Sequence, residues 1–210
     1  MPEWPHQWTL VVDASQPEVF VGLMEGTLWR SMVSSTEPAL NTIFTLSDQL
    51  LSEAALSVEK LDACIHCRGP GSTLGIRLGA MALRTWISQY PDMKVYSYTS
   101  LELMRAALRE THALPFSVIT DWKKGQWHRL DHDGDAIRTA TTDVLQDTEK
   151  IFYLPQRKNW QPLPTPHEKI EYQPESLTKH LSSVLEKSAD PTVFQHSEPS
   201  FPKWIPKRHR

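Results

Sequence analysis

Short apolar runs separated by turn residues open the chain, and amphipathic stretches follow them. Runs over 8–12, 19–24 and 27–33 predict three consecutive strands joined by tight turns. Further on, the spacing of apolar residues predicts, in order, a helix at 40–51, a strand at 61–67, a helix at 73–89, a strand at 93–98 and a helix that starts at the capping box of Thr99 and Glu102. The order β-β-β-α-β-α-β-α predicts a mixed sheet with helices packed on it.

The second half of the chain carries fewer signals. Residues 115–120 and 126–130 flank a turn that contains Gly125, which predicts a hairpin that begins a second lobe built like the first. A strand is predicted at 151–154 and an amphipathic helix at 174–187, and the prolines between them indicate an extended linker at 155–173. We therefore expect a first lobe over 1–112, a reduced second lobe over 113–187 that includes the linker, and an irregular basic tail over 188–210.

Composition narrows the classes of protein. Of the 210 residues, 40% are hydrophobic and 22% are charged, which excludes a collagen, a coiled-coil rod and a wholly disordered chain. No run approaches the roughly 18 apolar residues of a membrane span, and the N-terminal residues lack the pattern of a secretory signal, so a cytoplasmic protein without membrane contact is expected. The net charge of −3 is unlike that of a general nucleic-acid binder, so any RNA contact would be local.

The C-terminal tail is one place for such a local contact. It carries four basic residues and no acid after Ser200, interleaved with Phe201 and Trp204. Basic and aromatic side chains together suit RNA phosphates and bases, whereas a solvated chain end is the other interpretation.

A glycine-rich segment at 69–79 joins a predicted strand to a predicted helix. Its spacing is not that of a Walker A loop, a dinucleotide-binding loop or a nucleophile elbow. Free backbone N–H groups at the helix start suit a phosphate, and a tight turn with close packing is the alternative. The candidate phosphate-binding residues are Gly69, Pro70, Gly71, Ser72 and Arg77, with Asp13 and Ser15 at the end of the first strand. Asp13 would hold a metal-bound nucleotide, or its carboxylate would instead accept a hydrogen bond from the backbone of its own Asx-type turn.

The helix after this segment carries small residues at Gly75, Gly79, Ala80 and Ala82. Small residues allow a close approach, either of the chain's own sheet or of another subunit, and spacing alone does not decide between the two.

Catalytic and metal-binding patterns are weak. Cys64 and Cys67 lack the second ligand pair of a zinc site and would face opposite sides of a strand. The acidic loop at 131–135 departs from a calcium loop in its glycine and in its twelfth position. The histidines are scattered, and no nucleophile stands with a base in the sequence, so no catalytic residue and no metal ligand are assigned.

The glycine-rich segment resembles the hallmark of the TsaB (YeaZ) family, a glycoprotease-like family of tRNA-modification subunits. The family motif is Gly-Pro-Gly-Ser-Phe-Thr-Gly-Leu-Arg-Ile-Gly, and nine of the eleven positions at 69–79 match it or change conservatively. Asp13-Ala14-Ser15 is similar to the family's Asp-Thr-Ser, and the order of elements agrees over about residues 8–130. Thr73-Leu74 departs from the family's Phe-Thr, and Asp121-Trp122-Lys123 replaces its Asp-Ala-Arg.

This resemblance implies an α/β fold of the actin and Hsp70 type, related to ribonuclease H, with two lobes of which the second is short and divergent. It also implies a catalytically inert subunit that binds and stabilises a TsaD-like partner, which transfers threonylcarbamoyl to adenosine 37 of tRNA. A TsaE-like ATPase is a further implied partner, a homodimer is expected without TsaD, and tRNA contact is indirect or through the basic tail. No cofactor is implied, except ATP with magnesium at an interface of the complex.

The family pairs through two helices, which implies an interface in this sequence at positions of the helices 40–51 and 73–89. The implied interface residues are Leu40, Ile43, Phe44, Ser47, Leu51, Gly75, Ile76, Gly79, Ala82, Leu83 and Trp86. The alternative function is ATP binding or phosphotransfer by the same fold, with Asp13 on the metal-nucleotide. A peptidase is the least favoured reading, because the sequence pairs no nucleophile with a base.

Overall fold

The first sheet forms around an apolar strand that is buried on both faces. The computed structural model describes residues 4–112, 115–146, 150–154, 162–164 and 167–195. In the first part of the chain its elements are β1 (Trp8–Asp13), β2 (Val19–Glu25), β3 (Leu28–Ser35), α1 (Ala39–Glu53), a 3-10 turn (Val58–Lys60), β4 (Ala63–Cys67), α2 (Thr73–Gln89), β5 (Lys94–Tyr98) and α3 (Ser100–Arg109). The predicted order β-β-β-α-β-α-β-α is therefore confirmed. Thr99 caps α3 as predicted. The Thr99 hydroxyl accepts from the Glu102 N–H at 3.2 Å and donates to the Glu102 carboxylate at 2.6 Å.

The second sheet starts with the predicted hairpin. The elements of this second part of the chain are β6 (Ser117–Lys123), β7 (Gln126–Asp131), β8 (Arg138–Thr141), α4 (Thr142–Gln146), β9 (Ile151–Tyr153), β10 (Glu168–Lys169), a 3-10 turn (Pro174–Ser176), α5 (Leu177–Val184) and β11 (Glu186–Ser188). The predicted linker at 155–173 is described only at 162–164 and 167–173, where it contains β10.

Both sheets repeat one strand order. The first runs β11-β5-β4-β1-β2-β3 and the second runs β10-β9-β6-β7-β8. In each sheet the central strand pairs antiparallel with the next strand along the chain and parallel with the strand that follows the helix. The second lobe is thus built like the first, with shorter outer strands.

Each sheet is covered on one face by a helix from the other half of the chain. Apolar side chains of α1 and α2 pack with Leu10, Val12 and Cys64 on one face of the first sheet. The opposite face, which includes Val11 and Ile65, is covered by α5 from the end of the chain. Conversely, α3 follows β5 of the first sheet but packs on the second sheet. Each lobe therefore includes a helix from the other half of the sequence. These two helices, α3 and α5, also contact each other.

The end of the described chain differs from the sequence prediction. The helix predicted at 174–187 ends at Val184, and Glu186–Ser188 pairs antiparallel with β5 at the edge of the first sheet. The apolar residues Leu177, Leu181 and Val184 lie on one face of α5 and direct it onto the first sheet, although the sequence grouped this segment with the second lobe. Pairing with β11 covers the backbone groups that β5 would otherwise leave open.

Candidate functional site

Asp13 lies at the end of β1 and is 1% exposed. One carboxylate oxygen accepts the Ser15 N–H at 2.8 Å, which makes the Asx-type turn that was one of the two sequence interpretations. The other oxygen accepts the hydroxyl of Tyr98 at 2.6 Å and that of Tyr172 at 2.5 Å. These three donors come from three separate segments of the chain, so the carboxylate joins β1, β5 and the segment before α5.

The two tyrosines are fixed as neutral donors. Burial, followed by the negative charge of Asp13, raises the pKa of Tyr98 and of Tyr172 well above the usual value. Burial and the same carboxylate also raise the pKa of Cys67, whose sulfur lies 3.8 Å from the Tyr172 hydroxyl. The cluster therefore carries one buried negative charge stabilised by hydroxyl groups.

The glycine-rich loop packs directly on the turn that follows β1. The Ser72 N–H donates to the Ser15 carbonyl at 2.6 Å, and the Ser72 hydroxyl caps α2 by accepting from the Gly75 N–H at 3.3 Å. A Cβ on Gly71 would lie 2.2 Å from the Ser15 carbonyl oxygen, and one on Gly75 would lie 2.1 Å from that of Ala14. These two glycines thus allow two backbone segments to touch, and close packing is the role that this geometry gives them.

The other candidate residues of the glycine-rich segment, Gly69, Pro70 and Arg77, do not contact the turn after β1 in the same way. Gly69 has a positive φ of 102°, and the Pro70 carbonyl accepts from the Ser100 hydroxyl at 2.6 Å. Arg77 is exposed on α2. The structure therefore brings Asp13, Ser15 and the loop at 71–75 together and leaves Arg77 on the outer surface.

Most residues of the implied partner interface are buried inside the chain. Those enclosed by the first sheet and its helices are Ile43, Ser47, Leu51, Gly75, Ile76, Gly79, Ala82, Leu83 and Trp86. Of the implied set, only Leu40, at 60%, and Phe44, at 39%, are exposed. The small residues of α2 thus pack on the chain's own sheet, since the face that carries Gly75 and Gly79 lies over β1.

Exposed apolar residues nevertheless occur on both helices. Leu74 is 69% exposed and Met81 is 59% exposed, and they lie seven residues apart along α2, with half-buried Leu78 between them. The ring of Phe44 on α1 contacts that of Trp86 on α2 edge to face, with centroids 5.7 Å apart. We use the name exposed apolar patch for the four exposed apolar side chains of these two packed helices, Leu40 and Phe44 on α1 and Leu74 and Met81 on α2. Leu74 and Met81 were not assigned to the interface from the sequence. Their seven-residue spacing places them on one face of the helix, different from the face of the glycines, and could have indicated them.

A cavity of about 640 Å³ opens beside Asp13, between the β2–β3 edge and the segment before α5. Its lining includes Gln16, Glu18, Glu171 and Glu175. Gln16 is 8% exposed, and neither atom of its amide group has a hydrogen-bond partner among the described residues. No Lys, Arg or His lines this cavity within the described parts of the chain.

A second cavity, of about 750 Å³, is lined by arginines and lies between α2 and the residues after β11. Arg68, Arg77 and Arg84 line it, and two of them are paired: Arg68 with Glu186 at 2.9 Å, and Arg84 with Asp190 at 2.9 and 3.0 Å. His66 is fully buried on β4, and burial followed by the charges of Arg68 and Arg84 lowers its pKa to about 4.

The other sequence candidates are placed as follows. Cys64 packs in the cluster under α1 and α2, whereas Cys67 lies in the cluster on the other face, as the strand period predicts. Within the described residues, no group of three or more His, Cys, Asp or Glu side chains is arranged to hold a metal ion. The basic tail beyond residue 195 lies outside the described residues. In the parts of the chain described here, no helix has both the length and the apolar character that a membrane crossing needs.

Comparison with known proteins identifies the fold. No protein-family model matches the sequence, and no protein of curated function matches it. The fold is that of the actin-like α/β proteins with two related lobes, and two solved structures share it. YeaZ from Pseudomonas aeruginosa matches with a TM-score of 0.51 at 20% identity, over 64% of each chain. A protein described as similar to peptidase YeaZ from Pseudomonas aeruginosa matches with a TM-score of 0.58 at 16% identity, over 85% of this chain and 94% of that one.

At these identities the comparisons show a fold and no more. The predicted actin-like fold class and the resemblance to YeaZ are confirmed at that level. The chain spans less than two thirds of the Pseudomonas aeruginosa YeaZ chain that it matches.

Proposed function

We propose that this protein is a non-catalytic TsaB-like subunit that binds and stabilises a TsaD-like partner in the threonylcarbamoylation of tRNA. The observation that carries the proposal is the exposed apolar patch on two packed helices of a YeaZ-like fold. Four large apolar side chains on neighbouring helices are an unfavourable arrangement in water, and covering them is a source of binding free energy.

The contact to the partner is made by the outer side chains of α1 and α2. The glycines and alanines of α2 support it indirectly, because they hold the helix close to β1 and so set the position of Leu74 and Met81. This assignment moves the implied interface from the inner face of α2 to its outer face. Without a TsaD-like partner, the same apolar patch would pair with a second copy of the chain.

The Asp13 region has a structural role in this proposal. Its carboxylate is occupied by the Ser15 N–H and two tyrosine hydroxyls, and the adjoining cavity is lined by carboxylates that would repel a nucleotide phosphate. These contacts favour a subunit that supports catalysis by a partner over an ATP-binding or phosphotransfer protein.

The test is co-expression of this chain with the TsaD-like protein of the same source, followed by affinity capture and light scattering on the eluted complex. A one-to-one complex is expected, and adding it to the remaining modification components should raise threonylcarbamoyladenosine in tRNA above the level given by TsaD alone. Capture of neither protein by the other, with both chains folded, would contradict the proposal.

A further inference from the structure

The residues after β11 run from the first lobe to the second. Asp190 forms a bidentate ion pair with Arg84 of α2, with distances of 2.9 and 3.0 Å, and the Pro191 carbonyl accepts from the same guanidinium at 2.7 Å. Pro191 is also buried. These contacts fix the start of the segment on the first lobe. We call residues 189–195 the clasp.

Phe194 contacts both lobes at the other end of the clasp. Its N–H donates to the Arg68 carbonyl, directly after β4 of the first sheet, at 2.7 Å. Its ring packs edge to face on the ring of His128 in β7 of the second sheet, with centroids 5.4 Å apart. His128 is buried, and its ring also lies beside that of Trp122, with centroids 5.3 Å apart. A single residue thus joins the backbone of one lobe to aromatic rings of the other.

The middle of the clasp is separated from α2 by the arginine-lined cavity. Thr192 and Val193 line this cavity from the clasp, and Ala80 lines it from α2, so the clasp is held mainly at its two ends. The pair of Arg84 with Asp190 is solvent-accessible, with side chains 50% and 63% exposed. Exposed ion pairs stabilise weakly and are screened by salt, and segments with few buried contacts open locally before the whole fold unfolds.

A second region of contact between the lobes lies on the opposite face of the first sheet. There α3 and α5 contact each other, and Tyr172 packs with the apolar clusters of both sheets. The clasp lies on the α2 side, through Arg84, whereas α5 covers the other face. Two bodies joined at one region rotate about it, and a second contact on another side removes that freedom.

We propose that the clasp is a conformational switch that controls the relative movement of the two lobes. When the clasp is closed, contacts on both faces of the first sheet fix the lobes in one arrangement. When Phe194 leaves Arg68 and His128, the contact of α3 with α5 remains and the lobes rotate about it. The switch does not depend on the proposed pairing with a TsaD-like subunit.

Amide hydrogen exchange of the full chain, read by NMR, measures opening of the clasp, because the Phe194 N–H is bonded to the Arg68 carbonyl. Asp190→Asn should speed exchange of the Phe194 amide about two- to fivefold, since it removes an exposed ion pair. High salt should speed exchange in the parent and have little further effect on the variant. Glu168→Gln removes the exposed pair with Lys150 inside the second lobe, so this matched control should exchange like the parent.

Electron spin resonance distances between two attached labels measure movement of the lobes. Glu59→Cys and Ala136→Cys place labels at exposed positions of the first and the second lobe, and both native cysteines are buried. The parent should give one narrow distribution of distances. Phe194→Ala should broaden it or add a second distance, because the ring contact with His128 is lost. Phe44→Ala is the matched control, since its ring makes an edge-to-face contact inside the first lobe, and should leave the distribution narrow.

The proposal is overturned if neither Asp190→Asn nor high salt speeds exchange of the Phe194 amide, or if Glu168→Gln speeds it as much. It is also overturned if Phe194→Ala gives the distance distribution of the parent, since the clasp would then open without moving the lobes. If Phe194→Ala does not fold, Phe194→Leu, which keeps an apolar side chain but lacks the ring, decides the outcome.

Discussion

Replacing Gly75 by alanine tests the packing role of the glycine-rich loop. Alanine in the interior of a helix is ordinarily about 1 kcal/mol more favourable than glycine, so helix propensity alone predicts stabilisation. The structure predicts the opposite at this position. The added Cβ would lie 2.1 Å from the carbonyl oxygen of Ala14 and 3.2 Å from its carbonyl carbon, and both contacts are to backbone that cannot rotate away.

The magnitude follows from relieving that clash. To accept the methyl group, the start of α2 must move away from the turn after β1, which weakens the Ser72 N–H bond to the Ser15 carbonyl. Overpacking of this kind costs roughly 1–3 kcal/mol or more, and a contact between two backbones belongs at the upper end. After subtracting the propensity gain, we expect a net loss of about 2 kcal/mol, or a decrease of about 4–8 °C in Tm for a chain of this size.

Gly79→Ala is the matched control in the same helix. A Cβ there meets only a methyl group of Val12, at 3.8 Å, which is an ordinary contact. We expect Gly79→Ala to raise the unfolding free energy by up to about 1 kcal/mol. Urea denaturation followed by circular dichroism measures both variants. Equal stability of Gly75→Ala and the parent, or equal losses for the two variants, would refute this account of the loop.

Two further predictions concern buried polar groups. Tyr98→Phe removes a donor from the buried Asp13 carboxylate and should lower the unfolding free energy by about 2 kcal/mol, whereas Tyr96→Phe, which loses one bond to His6, should cost about 1 kcal/mol or less. Similar losses in urea denaturation would show that the carboxylate does not depend on Tyr98. Burial lowers the pKa of His66 in the folded chain to about 4, below the ordinary histidine value of 6.5. The unfolded chain therefore takes up this proton first as the pH falls, and the unfolding free energy decreases between about pH 6.5 and 4. From pH 7 to pH 5 the loss is about 2 kcal/mol, and His66→Leu should remove most of it; parallel losses in parent and variant would contradict this origin.

The first sheet could be predicted from sequence because its signals are local. Apolar runs set the strands, and Pro38, the capping box at Thr99 and the glycines at 69–79 set where helices begin. The hairpin of β6 and β7 was predicted for the same reason. The pairing of β11 with β5 was not, because Glu186–Ser188 has no apolar run and forms a strand only through its tertiary neighbour.

The candidate site was less predictable than the fold. Sequence placed Asp13 at a turn but gave no sign of Tyr172, which lies 159 residues away and reaches Asp13 only when α5 packs on the first sheet. The small residues of α2 indicated a close approach without indicating of what, and the structure identifies it as the backbone at Ala14 and Ser15. Whether a helix face packs inward or outward depends on its position over the sheet, which the helical period alone does not contain.

The partner interface is tested most directly by titrating the purified TsaD-like protein of the same source with this chain and with two variants. Leu74→Glu combined with Met81→Glu places two charges in the exposed apolar patch, while Leu28→Glu changes a leucine that is 73% exposed on the β2–β3 hairpin, outside α1 and α2. The account predicts one-to-one binding by the parent and by Leu28→Glu, and at least about tenfold weaker binding by the double variant. Binding of the double variant with the parent's affinity, or no binding by the parent, would contradict it.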